Sequence, residues 1–155
     1  MTAMTQPAPP AGETLFIASR LFGPLSVPRR DVIVMPEGML GFAGERRFIL
    51  LPAAPDGIFW LQCIEESGLV FLLVDPFIYF PDYVVDLPET PESAPGEEVA
   101  VLTIVTLPRG RGEACTANLQ GPVVIHFPTR VARQVVLSDP RFHTRHPLDL
   151  REKLG

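Results

Sequence analysis

The chain has a single lysine, Lys153, two cysteines and no apolar run approaching a membrane span. Its longest apolar runs, such as Leu69–Val74, fall far short of the ~20 residues a bilayer-crossing helix requires. The first twelve residues carry no basic side chain and no apolar centre, so a secretory signal is not expected and the cytoplasm is the expected compartment. Cys63 and Cys115 lie far apart and form no CxxC pair; in a reducing compartment they are expected as small core residues and not as a disulfide.

The usual marks of catalysis are also missing. Gly110-Arg111-Gly112 is too short to cradle a phosphate, and no Gly-x-Ser-x-Gly occurs. Glu65-Glu66 and Glu97-Glu98 are adjacent, so within strands their carboxylates would point to opposite faces and could not share a proton. His143-x-x-His146 has a spacing that metals use on helices, but Arg141, Arg145 and Pro147 surround it with positive charge and unsuitable geometry. No enzyme activity, cofactor or metal is therefore expected.

What is present is strand-forming sequence. With 46% hydrophobic and 20% charged residues, the 155-residue chain can bury a core as one domain without staples. Short runs rich in Val, Ile and Phe predict strands at Thr14–Ala18, Asp31–Met35, Arg46–Leu51, Ile58–Cys63, Leu69–Asp75, Val99–Thr106, Ala114–Leu119, Val123–Phe127 and Ala132–Leu137. Eighteen prolines, spread evenly, leave no room for long helices. The expected fold is all-β, a small antiparallel β-barrel-like domain with little helix, spanning residues 14–148. Residues 1–13 are expected as a disordered tail and 149–155 as a C-terminal tail. Pro36-Glu37-Gly38 and Glu66-Ser67-Gly68 read as tight turns, with Gly68 free to take positive φ; Leu87–Gly96 and Pro108–Gly112 read as exposed loops.

Charge is strongly polarised. Residues 65–98 hold nine acids and no base, whereas the remainder is neutral before that stretch and basic after it. An acid-only stretch of this length argues against nucleic acid as a direct ligand, because phosphate binding needs clustered cations. It favours a basic protein partner, since complementary fields steer encounter.

A series of motifs runs through the chain in order. It comprises Pro36-Glu37-Gly38-Met39-Leu40-Gly41-Phe42, Phe48-Ile49-Leu50, Phe59-Trp60-Leu61-Gln62, Leu69-Val70-Phe71, Asp75-Pro76 and Pro81-Asp82-Tyr83. Thr116-Ala117-Asn118-Leu119-Gln120-Gly121-Pro122 and Arg133-Gln134-Val135-Val136-Leu137 complete it. Together these resemble the FliW family of flagellar assembly factors over residues 14–148. The resemblance implies a cofactor-free β-barrel in the cytoplasm that binds CsrA, a basic RNA-binding translational regulator, and also flagellin. Sequestration or allosteric inhibition of CsrA would relieve repression of flagellin synthesis. The alternative within the same resemblance is a dedicated flagellin-binding chaperone without a CsrA role. A rival of another class is a barrel that holds a small ligand inside, which would need polar groups on inward faces.

The candidate partner-binding residues are Asp75, Phe77, Tyr79, Phe80, Asp82 and Tyr83, an aromatic cluster rimmed by carboxylates. The same segment also fits an irregular edge strand whose alternate residues enter the core. Trp60 is expected in the core, Gln62 and Asn118 as turn or ladder-end caps, and His126 as a half-exposed face residue.

Overall fold

Valine- and isoleucine-rich runs pair into eleven strands in the computed structural model, which describes residues 13–53, 56–87, 98–108 and 114–149. β1 (Thr14–Ser19) and β2 (Gly23–Pro28) form a hairpin of their own. Then come β3 (Ile33–Val34), β4 (Arg47–Ala53), β5 (Ile58–Cys63) and β6 (Val70–Val74), followed by one helical turn, α1 (Pro76–Tyr79). β7 (Val99–Thr106), β8 (Cys115–Ala117), β9 (Val123–His126), β10 (Val131–Gln134) and β11 (His146–Leu148) complete the described elements.

Seven of these strands close a barrel in the order β7–β6–β5–β4–β3–β10–β9, with β9 pairing back onto β7. An odd number of strands cannot alternate in direction all the way round a closed ring, so one neighbouring pair must be parallel. That pair is β3–β10, reduced to the single register contact of Val34 with Val131. The expected antiparallel barrel is thus present, with one short parallel seam. β7 also carries β8 beyond its contact with β9, and β11 pairs on the far side of β8.

The barrel interior is filled by Ile33, Met35, Phe48, Leu61, Leu73 and Ile125 among others. A second core lies against the outer face of β5–β8, where Leu72, Val74, Val105 and Ala117 meet Tyr83, Leu137, Phe142 and Leu148. Two cores explain why Val70–Val74 is apolar throughout instead of alternating: odd and even positions are covered on both faces. Cys63 is a buried free thiol and Cys115 a half-buried one, as expected.

All nine expected strands are present, two of them, Ile58–Cys63 and Val99–Thr106, with the bounds read from sequence. Asp31–Met35 shortens to β3 because Arg29–Asp31 coils into a 3-10 turn. The strands not anticipated, β2 and β11, contain Pro24, Pro28 and Pro147, which are tolerated because both strands lie at sheet edges. The expected tails and the Leu87–Gly96 and Pro108–Gly112 loops lie almost wholly outside the described residues.

Two glycines deserve contrast. Gly68 does not take positive φ, contrary to expectation; it is small because the Arg20 side chain lies over it, with Cδ 3.0 Å from where a Cβ would sit. Gly38 does take positive φ (67°), closes the Met35–Gly38 turn by donating to Met35 O at 2.9 Å, and would place a Cβ 2.8 Å from backbone atoms of Phe42 and Ala43. Gly38→Ala should therefore cost about 1–3 kcal/mol. Urea unfolding should show a lowered midpoint at unchanged slope, whereas Gly44→Ala, which meets nothing within 4 Å, should be close to neutral.

Candidate interaction surface

The chain leaves β6 at Val74 and turns at once. Asp75 N–H donates to Gly57 O at 2.7 Å, and its carboxylate accepts from Phe77 N–H at 3.0 Å, capping α1. Pro76 occupies the first helical position, where its missing N–H costs nothing. The segment is therefore one helical turn and not an edge strand. The turn throws Phe77 (47% exposed) and Ile78 (41% exposed) outward, while Tyr79 and Phe80 are half-buried against the second core.

Tyr83 does not belong to the exposed set. It is buried, its hydroxyl donates to Leu119 O at 2.8 Å, and its ring meets Phe142 edge-on at 4.8 Å and Phe77 at 5.6 Å. Burial pushes its pKa up to about 12, so it remains a donor at any physiological pH. Asp82 is exposed beside it. Of the six residues singled out, Phe77 and Asp82 are surface groups, Tyr79 and Phe80 are half-buried, Asp75 is a half-buried helix cap and Tyr83 is an internal post.

Behind this element lies a cluster that sequence separation hid. The His143 and His146 rings stack at 3.7 Å, and His146 also meets Phe80 at 6.0 Å. His143 N–H donates to His146 Nε2 at 2.9 Å and Arg145 N–H to His143 Nδ1 at 3.4 Å, so both imidazoles serve as acceptors that hold the turn. His143 O in turn accepts from Leu119 N–H (3.0 Å) and Gln120 N–H (3.2 Å), joining this turn to the bend after β8 that receives Tyr83.

Other polar residues have local tasks. Gln62 is fully buried; it accepts from Ser19 Oγ at 2.6 Å and donates to Cys63 O and Ser67 O, tying the β1–β2 hairpin to the barrel. Asn118 Oδ1 caps the turn at Gln120 and Gly121, as expected. Trp60 is half-buried on the outside of β5, with Phe22 edge-on at 5.9 Å. His126 is 4% exposed and not half-exposed, because β9 is covered along its whole length; its Nδ1 lies 2.7 Å from Thr129 Oγ1. Burial alone would raise the Glu65 pKa, but hydrogen bonds from the Arg47 side chain and the Arg46 and Arg47 backbone outweigh it and hold the carboxyl low.

Among the described residues no group of three or more His, Cys, Asp or Glu could hold a metal ion. No helix among them is long and apolar enough to cross a membrane.

The sequence profile described as FliW protein matches residues 16–148. The chain belongs to the FliW family. It is 34% identical over 132 residues to the flagellar assembly factor FliW of Magnetococcus marinus, covering 82% of this chain and 80% of that one. It is 35% identical over 138 residues to the FliW of Natranaerobius thermophilus (85% and 91% covered) and 32% identical over 139 residues to that of Bacillus subtilis (86% and 96%). A solved structure, the crystal structure of the flagellar assembly factor FliW, superposes with a TM-score of 0.76 at 31% identity, covering 85% of this chain and 95% of the other. The family and the β-barrel expected from the motif series are thus both found.

The stacked pair should make the fold of this chain acid-sensitive. Burial and then the charge of His143 hold the His146 pKa below its ordinary value. The unfolded chain therefore takes up that proton first, so the contribution is complete above about pH 6.5 and is lost as pH falls below it. Melting temperature should drop between about pH 7.5 and pH 5.5, and the drop should be smaller in His146→Gln.

Proposed function

We propose that this chain acts in flagellar assembly by binding the translational regulator CsrA and flagellin, and that capture of CsrA relieves repression of flagellin synthesis. Membership of the FliW family over residues 16–148 carries this reading, together with relatives named flagellar assembly factors. The acid-only stretch from Glu65 to Glu98 supports a basic partner such as CsrA. Within that stretch α1 presents Phe77 and Ile78 to solvent beside exposed Asp82, an apolar anchor with a charged rim. A cytoplasmic location follows from such partners.

The alternative, a flagellin chaperone with no CsrA role, predicts binding to flagellin alone that survives high salt, because apolar contacts are not screened. Calorimetric titration against CsrA and flagellin from the same organism separates the two. Because Asp75 caps α1, the informative variant is Phe77→Ala with Asp82→Lys, which changes two exposed side chains and leaves the cap intact. It should weaken CsrA binding by about tenfold or more while leaving the melting temperature near that of the parent. Failure of the parent chain to bind either protein at micromolar concentration would overturn the reading.

A further inference from the structure

The segment after β10 is half of a strand ladder. Val135 N–H donates to Pro122 O at 2.9 Å and Leu137 N–H to Gln120 O at 2.7 Å. Successive backbone groups of an extended chain point to opposite edges, so Val136 and Ser138 present theirs to the other side. No described residue bonds to the backbone groups of Val136 or Ser138. Instead they border an open groove of about 780 Å³ whose opposite wall is Val84, Asp86 and Leu87. That wall, too, makes no backbone hydrogen bond among the described residues. Val84 and Val136 are 61% and 62% exposed, which is unusual for β-branched residues flanking one groove.

The charges nearby define the occupant. Asp86 and Asp139 line the groove. Arg141 is spent on Asp139 through contacts of 2.7–3.2 Å and lies within electrostatic reach of Asp82. Asp139 is thus matched by Arg141, whereas Asp86 has no ion pair among the described residues and leaves the groove with net negative charge. An unpaired edge with an apolar floor and surplus negative charge matches an extended chain whose side chains alternate between apolar and basic.

We propose that this groove is a β-addition site for an extended segment of a partner protein, with Val, Ile or Leu at alternate positions and Lys or Arg between them. The incoming backbone pairs with Val136 and Ser138, its apolar side chains lie between Val84 and Val136, and its cations face Asp86. The groove adjoins the α1 surface at Val84, and its proposal does not depend on the flagellar reading.

The test uses the full chain, ¹⁵N-labelled, titrated with a capped octapeptide of alternating Lys and Val and with its Glu–Val counterpart. Saturable shifts at the amides of Val84–Leu87 and Val136–Ser138, slowed hydrogen exchange at Val136, and no response to the Glu–Val peptide are expected. Val136→Pro, which deletes the N–H, and Asp86→Lys, an exposed change that spares the backbone, should each weaken binding by about tenfold. If Val136→Pro fails to fold, Asp86→Lys and Val84→Asp carry the comparison. Absence of saturable shifts at millimolar peptide, shifts confined to other residues, equal binding of both peptides, or concentration-dependent self-association through this edge would each overturn the proposal.

Discussion

Closure of β7 onto β9 is the constraint from which the rest of the architecture follows. β7 offers one edge to β6 and divides the other, giving Val99–Leu102 to β9 and Val105–Thr106 to β8. The first half seals the barrel around Ile33, Phe48 and Leu73; the second half continues the sheet past the seal and creates an outer face with nothing yet upon it. That face is apolar at Leu72, Val74 and Val105, so it must be covered. The cover is α1, the segment through Tyr83, the stretch from Val135 to Phe142, and β11. The elements that carry the α1 surface and the Val84–Val136 groove are thus the ones recruited to roof the second core.

Much of the barrel was legible because its strands are short β-branched runs between turn formers, and a run such as Phe71-Leu72-Leu73-Val74 announces burial on both faces. What escaped was set by tertiary position. Proline in β2 and β11 reads as a strand breaker until one knows that those strands lie at edges. Asp75-Pro76 is a sound helix start, a cap followed by proline at the first position, but the helix it opens is only four residues and offers no stripe to detect. Gly68 was chosen for space beneath Arg20, a contact 48 residues away in sequence that no local pattern reveals.

The candidate site was legible in composition and not in detail. Four aromatics close together between carboxylates mark a segment of interest, yet the pattern does not say which rings face water. The answer came from residues far downstream. Phe142 and Leu119 claim Tyr83, His146 claims one face of Phe80, and Phe77 is left outside. Similarly, Ala132–Leu137 reads as one strand, but the ladder to β3 and β9 covers only Val131–Gln134, and the remaining residues run on along Gln120–Pro122 with their other edge open.

Tyr83 gives these two surfaces a fixed relation. It stands between α1 and the Val84–Leu87 wall, and its hydroxyl bond to Leu119 joins it to the strand end that also bonds His143. A phenol buried this way, with its pKa near 12, offers no second ionisation state with which to rearrange. Transmission between surfaces needs an element with two stable arrangements, and a singly satisfied, close-packed ring is a poor one. Two ligands, one on α1 and one in the groove, would on this scaffold exclude each other through overlap at the surface itself, where Phe77, Ile78 and Val84 are exposed along one short stretch. Steric competition across that stretch requires no motion in the core, and it leaves the barrel, closed through β7, as an unchanging platform.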